Sequence, residues 1–190
     1  MSGEILLAHY DQPLETMPFL ADKVEQDPVA SIDPCWANEH GWQLVEVGPA
    51  IVGEDLLGDL AELIRITGAP VAIATVNDSD WTWITGQAPG SEPWHASTHP
   101  DTLMAHMKDD DFLREHLIGA QDPTSFGTQL KARIPQTASD ILHWSQAAGL
   151  TSGRQDTIEK LLRTKAVFAE SLWHDILEEL GFPCTPFTEH

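Results

Sequence analysis

Apolar residues recur at helical spacing between residues 54 and 67. The positions that form one face are Leu56, Leu57, Leu60, Leu63 and Ile64. This i, i+1, i+4, i+7, i+8 pattern is typical of a helix with one buried face. Gly68 and Pro70 follow the last apolar position, and both residue types end helices. The sequence therefore predicts a helix over 54–67.

The next pattern is that of a β-hairpin. Residues 71–76 form a nearly continuous apolar and β-branched run, as in a strand covered on both faces. Residues 77–80 have a turn composition, and residues 81–85 alternate as in a second strand. We therefore predict an antiparallel hairpin over 71–85, a loop over 86–93 and a further short strand over 42–47.

Helical spacing dominates beyond residue 97. Capping patterns at Thr98-x-x-Asp101 and Thr137-x-x-Asp140 predict helices that end near residues 108 and 148. Between them we expect a short helix over 110–118 and a turn or two of helix within 125–134. An apolar stripe runs from residue 154 to residue 180 and predicts one long helix before Gly181 and Pro183.

These elements predict an α+β fold. It consists of a small, mostly antiparallel sheet with a packed helix, followed by a helical C-terminal half that ends in one long helix. Residues 42–190 are expected to form a single domain, with a sheet part over 42–97 and a helical part over 98–182. Residues 1–41 contain four prolines, and we predict an irregular acidic segment that packs on this body.

Charge is distributed unevenly along the 190 residues, whose formal net charge is −20. Residues 1–62 contain 13 acids and the single base Lys23, whereas residues 123–165 contain six bases and three acids. Such a field repels nucleic acids and anionic lipids and attracts basic surfaces. We therefore expect no nucleic-acid or membrane partner. The basic stretch has an alternative role, which is to pair with the acidic third within one chain or across a homodimer.

The cellular compartment is constrained by features that the sequence lacks. Cys35 and Cys184 have neither metal-ligand nor redox-motif spacing, so reduced thiols are expected. The amino terminus lacks the basic region of a secretory signal, and no window is apolar enough for a membrane helix. A soluble cytoplasmic protein is expected.

Candidate metal ligands cluster between residues 95 and 116. Glycine-rich phosphate loops and serine nucleophile motifs are absent from the sequence, so this cluster is the strongest enzymatic candidate. Its side chains are of types that bind divalent metals, and they are His95, His99, Asp101, His106 and His116. Pro100 disfavours a helical conformation at His99, so His95 and His99 are not expected to share a helical turn. A metal-dependent, hydrolase-like enzyme is the alternative function; otherwise no cofactor is expected.

The tryptophans of the hairpin allow two interpretations. Trp81 and Trp83 share one strand face and belong either to the core, which we expect, or to an exposed anchor. Exposed rings beside acidic residues would form a hot spot for a basic partner. The candidate partner-binding residues are Asp78, Asp80, Trp81, Trp83 and Trp94. The sequence thus favours an acidic interaction module, of the inhibitor, immunity or adaptor type, that binds a basic partner surface.

Overall fold

Six β-strands form one antiparallel sheet in the order β2-β3-β1-β4-β5-β6. The computed structural model describes residues 2–26, 30–37, 40–48, 55–111, 114, 122–150 and 153–182. The strands are β1 (Gly3–His9), β2 (Ile32–Ala37), β3 (Trp42–Val47), β4 (Val71–Asn77), β5 (Trp81–Gln87) and β6 (Trp94–Thr98).

Seven α-helices accompany the sheet within the described part of the chain. They are α1 (Pro18–Gln26), α2 (Leu56–Thr67), α3 (Pro100–Asp109), α4 (Pro123–Ala132), α5 (Ile134–Ala147), α6 (Gln155–Arg163) and α7 (Ala169–Glu179). The predicted α+β class is confirmed. Among the described residues, no helix is long and apolar enough to cross a membrane.

Helix α2 and the β4–β5 hairpin agree with the sequence patterns. The Asp55 carboxylate accepts a hydrogen bond from the Gly58 N–H at 3.0 Å and caps α2. Gly68 ends the helix with φ of 65°, a conformation that glycine adopts without steric cost. Strand β3 covers the predicted residues 42–47. Local patterns were sufficient here because each element is bounded by strong start or stop residues.

Residues 1–41 are more regular than predicted. Strand β1 lies between β3 and β4, and Leu6 pairs with Val45 on one side and Ile73 on the other. Its apolar run over residues 5–8 is buried, as expected for a strand inside a sheet. Pro18 is the first residue of α1, where proline is tolerated, and Pro34 lies at a bulge in the edge strand β2. The prediction of an irregular segment is therefore wrong.

The single long helix predicted for 154–180 is also wrong, because α6 and α7 are separate. Tertiary hydrogen bonds hold the connection between them. The Ala166 N–H donates to His99 Nε2 at 2.9 Å, and the Ala169 N–H donates to the Ser79 carbonyl at 2.8 Å. The apolar stripe therefore comes from two helices, and Phe168, which fitted its phase, is 56% exposed.

Three further details differ from the predictions. Strand β6 was not expected. Thr98 does not cap α3; its hydroxyl donates to the Ala169 carbonyl at 3.2 Å. Helix α5 begins at Ile134, so Thr137 lies buried inside the helix and does not start it. Most of the helix predicted over 110–118 lies outside the described residues.

The two faces of the sheet are covered differently. On one face, which we call the closed face, α5, α6 and α7 pack against the strands, and together they form a single core cluster. That cluster includes Ile5, Leu7, Leu44, Ala72, Ala74, Ile84, Trp94, Trp144, Trp173, Ile176 and Phe182. On the other face, the open face, α1 and α2 cover β3, β1 and β4 around Leu6, Val45 and Ile73. Helices α3 and α4 cover β5 around Trp81 and Trp83 as a separate cluster.

Candidate functional site

A cleft of about 460 Å³ opens on the open face between the two groups of helices. The first turn of α2 forms one wall, and the region where α4 gives way to α5 forms the other. The residues that line it include Asp55, Leu57, Trp83, Trp94, His95, Phe126, Leu130, Arg133 and Asp140. A cleft of this size is typical of small-molecule sites.

His95 and Trp83 form the floor of the cleft. Their rings stack with centroids 5.5 Å apart and planes 19° apart. His95 Nδ1 hydrogen-bonds the buried Thr85 hydroxyl at 3.1 Å, and these two residues are paired across β5 and β6. Stacking and this hydrogen bond fix the orientation of the imidazole. The Nε2 atom has no hydrogen-bond partner among the described residues.

The electrostatic environment favours the neutral form of the His95 imidazole. Burial lowers the pKa of His95, and the nearby positive charge of Arg133 lowers that pKa further. Arg133 lies where α4 ends and α5 begins, and its side chain is exposed. It makes no ion pair with any residue that the structure describes.

Two carboxylates line the same cleft. Asp55 caps α2, and Asp140 accepts a hydrogen bond from the Gln136 side-chain amide at 2.8 Å. Within the described part of the chain, neither carboxylate forms an ion pair with Arg133. Opposite charges therefore line one cleft without a described ion pair between them.

His99, a candidate metal ligand, is fully used in hydrogen bonds. Its Nε2 accepts from the Ala166 N–H, so its Nδ1–H donates to the Asp80 carbonyl at 2.8 Å. The ring thereby joins the β4–β5 turn to the connection between α6 and α7. His99 itself has φ of 56°, an uncommon backbone conformation for a residue with a side chain. Its role here is structural.

The other candidate ligands point to different partners. Asp101 pairs with Lys131, whose charge and hydrogen bond lower the pKa of this carboxyl. His106 Nε2 lies 3.7 Å from the Asp80 carboxylate, and His116 lies outside the described residues. Among the described residues, no group of three His, Cys, Asp or Glu side chains is arranged to hold a metal ion. The candidates that the structure describes do not converge.

All three candidate tryptophans are buried. Trp81, Trp83 and Trp94 are 2%, 7% and 6% exposed. Trp81 and Trp83 pack against α3 on the open face, and Trp94 belongs to the core of the closed face. The expectation that Trp81 and Trp83 are core residues is confirmed, and the exposed-anchor alternative is wrong. Asp78 and Asp80 remain exposed at the hairpin turn.

Cys35 does not provide a nucleophile. Burial raises the pKa of its thiol to about 11, and the neighbouring Glu46 carboxylate contributes to the same shift. The thiol is free and stays protonated at neutral pH. Cys184 lies outside the described residues.

Four exposed acids lie on α1 or in the segment that leads to it. We call these residues the acidic face, and they are Asp11, Glu15, Asp22 and Glu25. The Gln43 side chain holds the connection that leads to α1. Its amide donates to the Tyr10 carbonyl at 2.9 Å, and its carbonyl accepts from the Leu14 N–H at 2.9 Å. The acidic residues of this connection therefore have a defined position beside α1.

The ion pairs that the structure describes for the basic stretch over 123–165 lie within the C-terminal half of the chain. Its described ion pairs join Lys131 to Asp101, Arg163 to Glu159, and Arg154 to Asp156 and Glu179. All of these acids lie beyond residue 100. No residue of the acidic face forms an ion pair within the described part of the chain.

Comparison with known proteins does not assign a function. No family model matches the chain, and neither curated proteins nor solved structures give a significant match. Function must therefore be inferred from the surfaces and side chains described above. Of the cleft residues, sequence reasoning had selected His95, Trp83 and Trp94. It missed Asp55, which is far from the other two in the chain, and it missed Arg133 and Asp140, which lie seven residues apart at the start of α5 and within it and match no local motif.

Proposed function

We propose that this protein is an interaction module that binds a basic surface of a partner protein through its acidic face. The proposal is supported by one observation above all: the acidic face has no ion-pair partner among the described residues, although the chain contains a basic stretch. The negative potential of this surface is therefore available to another molecule.

The arrangement of the acidic face favours a protein partner. Asp22 and Glu25 are three residues apart on α1, so they lie on the same side of the helix. Exposed charges of this kind accelerate association and select partners of opposite sign. Since charges more than about 8 Å apart are largely screened at physiological ionic strength, binding should weaken strongly as salt is added.

An inhibitor, immunity or adaptor role agrees with these features, because such proteins need a recognition surface and no catalytic group. A cytoplasmic location is part of the proposal, and the free Cys35 thiol supports it. The metal-dependent enzyme is not favoured, since the described candidate ligands lie apart.

The test compares two variants of equal net charge. The first neutralises the acidic face by D11N, E15Q, D22N and E25Q. The second neutralises four exposed acids elsewhere, by E92Q, D109N, D175N and E178Q. Each variant and the unmodified protein are used to capture partners from lysate at low and high salt, and the captured proteins are identified and measured by mass spectrometry.

We expect the unmodified protein and the second variant to retain the same basic proteins at low salt, and the first variant to lose them. High salt should release them from both. Equal capture by the two variants would show that net charge alone acts. Failure of the unmodified protein to retain any basic protein at low salt would refute the proposal. Light scattering of the purified protein detects the alternative in which the basic partner is a second copy.

A further inference from the structure

The cleft on the open face combines three properties that nothing in the acidic-face proposal uses. Among the described residues, it has a guanidinium that forms no ion pair, two carboxylates that do not pair with that guanidinium, and apolar side chains on both walls. Arg133 provides the positive charge, and Asp55 and Asp140 provide the negative charges. In a chain of net charge −20, an arginine that finds no acidic partner among the described residues is notable.

Apolar side chains on both walls of the cleft are accessible to solvent. Leu57 is 48% exposed, and Phe126 and Leu130 are half-buried. Phe126 lies 6.1 Å from the ring of Trp83, so the wall continues into the floor of the cleft. Covering this wall with an apolar group would remove it from water, which is favourable.

The charges select among ligand classes. A simple anion would be attracted by Arg133 and repelled by the two carboxylates, and a simple cation would meet the reverse situation. A molecule with one charge of each sign is complementary to both, because charged groups form their strongest hydrogen bonds with opposite charges. The volume of about 460 Å³ accommodates a molecule of amino-acid size.

We propose that the cleft binds a small zwitterion that carries a large apolar side chain, the chemical class of the apolar and aromatic amino acids. Arg133 receives the carboxylate of the ligand. Asp140 receives its ammonium group, with Asp55 as a second negative charge nearby. The apolar side chain packs on Phe126, and the Nε2 of His95, which has no hydrogen-bond partner among the described residues, offers one further hydrogen bond.

The first experiment uses three probes that share the phenyl side chain and differ in their charged groups. They are L-phenylalanine, 3-phenylpropionate, which lacks the ammonium group, and phenethylamine, which lacks the carboxylate. Affinities for the full chain are measured by titration calorimetry. We expect L-phenylalanine to bind best and each analogue to bind about tenfold more weakly or worse, the usual effect of removing one charge-assisted hydrogen bond. Equal affinities, or no heat with L-phenylalanine at about 10 mM, would overturn the proposal.

The second experiment assigns the charges to residues. In R133Q, the carboxylate should no longer add affinity, so L-phenylalanine and phenethylamine should bind alike. In D140N, the ammonium group should no longer add affinity, so L-phenylalanine and 3-phenylpropionate should bind alike. R154Q and D156N, two exposed changes outside the cleft, serve as matched controls and should behave like the unmodified protein.

Each variant is judged by the ratio of its affinities for two probes and not by its total affinity. A small structural disturbance would weaken the binding of both probes and would not remove the difference between them. If R133Q keeps the preference for L-phenylalanine over phenethylamine, Arg133 is not the carboxylate site and the proposal fails. The acidic face shares no residue with the cleft. Failure of one proposal therefore leaves the other standing.

Discussion

The two faces of the sheet are packed differently, although the same strands form both. The closed face has one continuous core that extends from Ile5 in β1 to Phe182 after α7. The open face has two separate cores, one under α1 and α2 and one under α3 and α4. The cleft of about 460 Å³ lies where the helices of these two cores are separated, between α2 and the junction of α4 and α5.

The difference originates in the strands themselves. On β4 and β5, the residues directed to the closed face include Ala72, Ala74 and Ile84. The residues directed to the open face alternate between apolar ones, such as Ile73 and Trp83, and polar ones, such as Thr75 and Thr85. The apolar residues of this face therefore fall into two separate clusters, and the cleft lies between the helices that cover them. Continuous apolar cover thus gives stability, and its interruption leaves room for a ligand.

The largest predicted effect comes from a substitution in the core of the closed face. W173A removes a fully buried indole from the continuous core and should lower the free energy of unfolding by about 3–5 kcal/mol. F126A removes a half-buried ring beside the cleft and should cost only about 1–2 kcal/mol. Urea unfolding followed by circular dichroism measures both. Equal losses would show that the two faces contribute alike.

A pair of glycine substitutions tests the same comparison by adding an atom. A Cβ at Gly86 would lie 2.3 Å from the rigid ring of Trp94 on the closed face. G86A should therefore destabilise the protein by about 1–3 kcal/mol through overpacking. A Cβ at Gly127 would lie 2.6 Å from the flexible side chain of Met104 under the open face. G127A should be nearly neutral, because Met104 can move and alanine favours the helix by about 1 kcal/mol. Thermal unfolding of both variants decides the question.

The contact between the β4–β5 turn and the connection from α6 to α7 is predicted to depend on His99. H99A leaves the Ala166 N–H and the Asp80 carbonyl without their imidazole partner and should cost about 1–3 kcal/mol. Amide hydrogen exchange at Ala166 should become faster. H106A is the control, since His106 is half-exposed and contacts only the Asp80 carboxylate at 3.7 Å among the acids described. Unchanged exchange at Ala166 in H99A would contradict the assigned role.

The smallest predicted effect concerns protonation in the cleft. Because burial and Arg133 lower the pKa of His95 below the usual value of 6.5, the unfolded chain binds more protons than the folded chain in mildly acidic solution. This contribution to stability is present above pH 6.5 and is lost as the pH falls toward the folded-state pKa. R133Q should raise the pKa of His95 and leave that of His174, which is lowered by burial, unchanged. An NMR titration of the histidine rings measures both, and a shift at His174 alone would contradict the cleft geometry.

The predictions from sequence succeeded where local chemistry was strong. Helix α2 lies between its capping residues Asp55 and Gly68, and the two strands of the hairpin are joined by a turn at 78–80. Both elements were therefore located from residue types alone. They failed where distant residues decided the outcome. Strand β1 becomes regular by pairing with two strands that follow it in the chain, and residues 164–168 leave helical structure because tertiary partners bind their backbone. The cleft belongs to this second group.

The sequence by itself determined the α+β class, the negative charge and the exclusion of simple nucleotide motifs, because composition and short-range periodicity carry that information. The tertiary structure alone decided that Trp81 and Trp83 are buried, that the candidate metal ligands it describes do not meet, and that Arg133 shares a cleft with Asp55 and Asp140. The physical reason is that these facts depend on which segments pack together. Such packing arises from contacts between residues far apart in the chain, which no local pattern specifies.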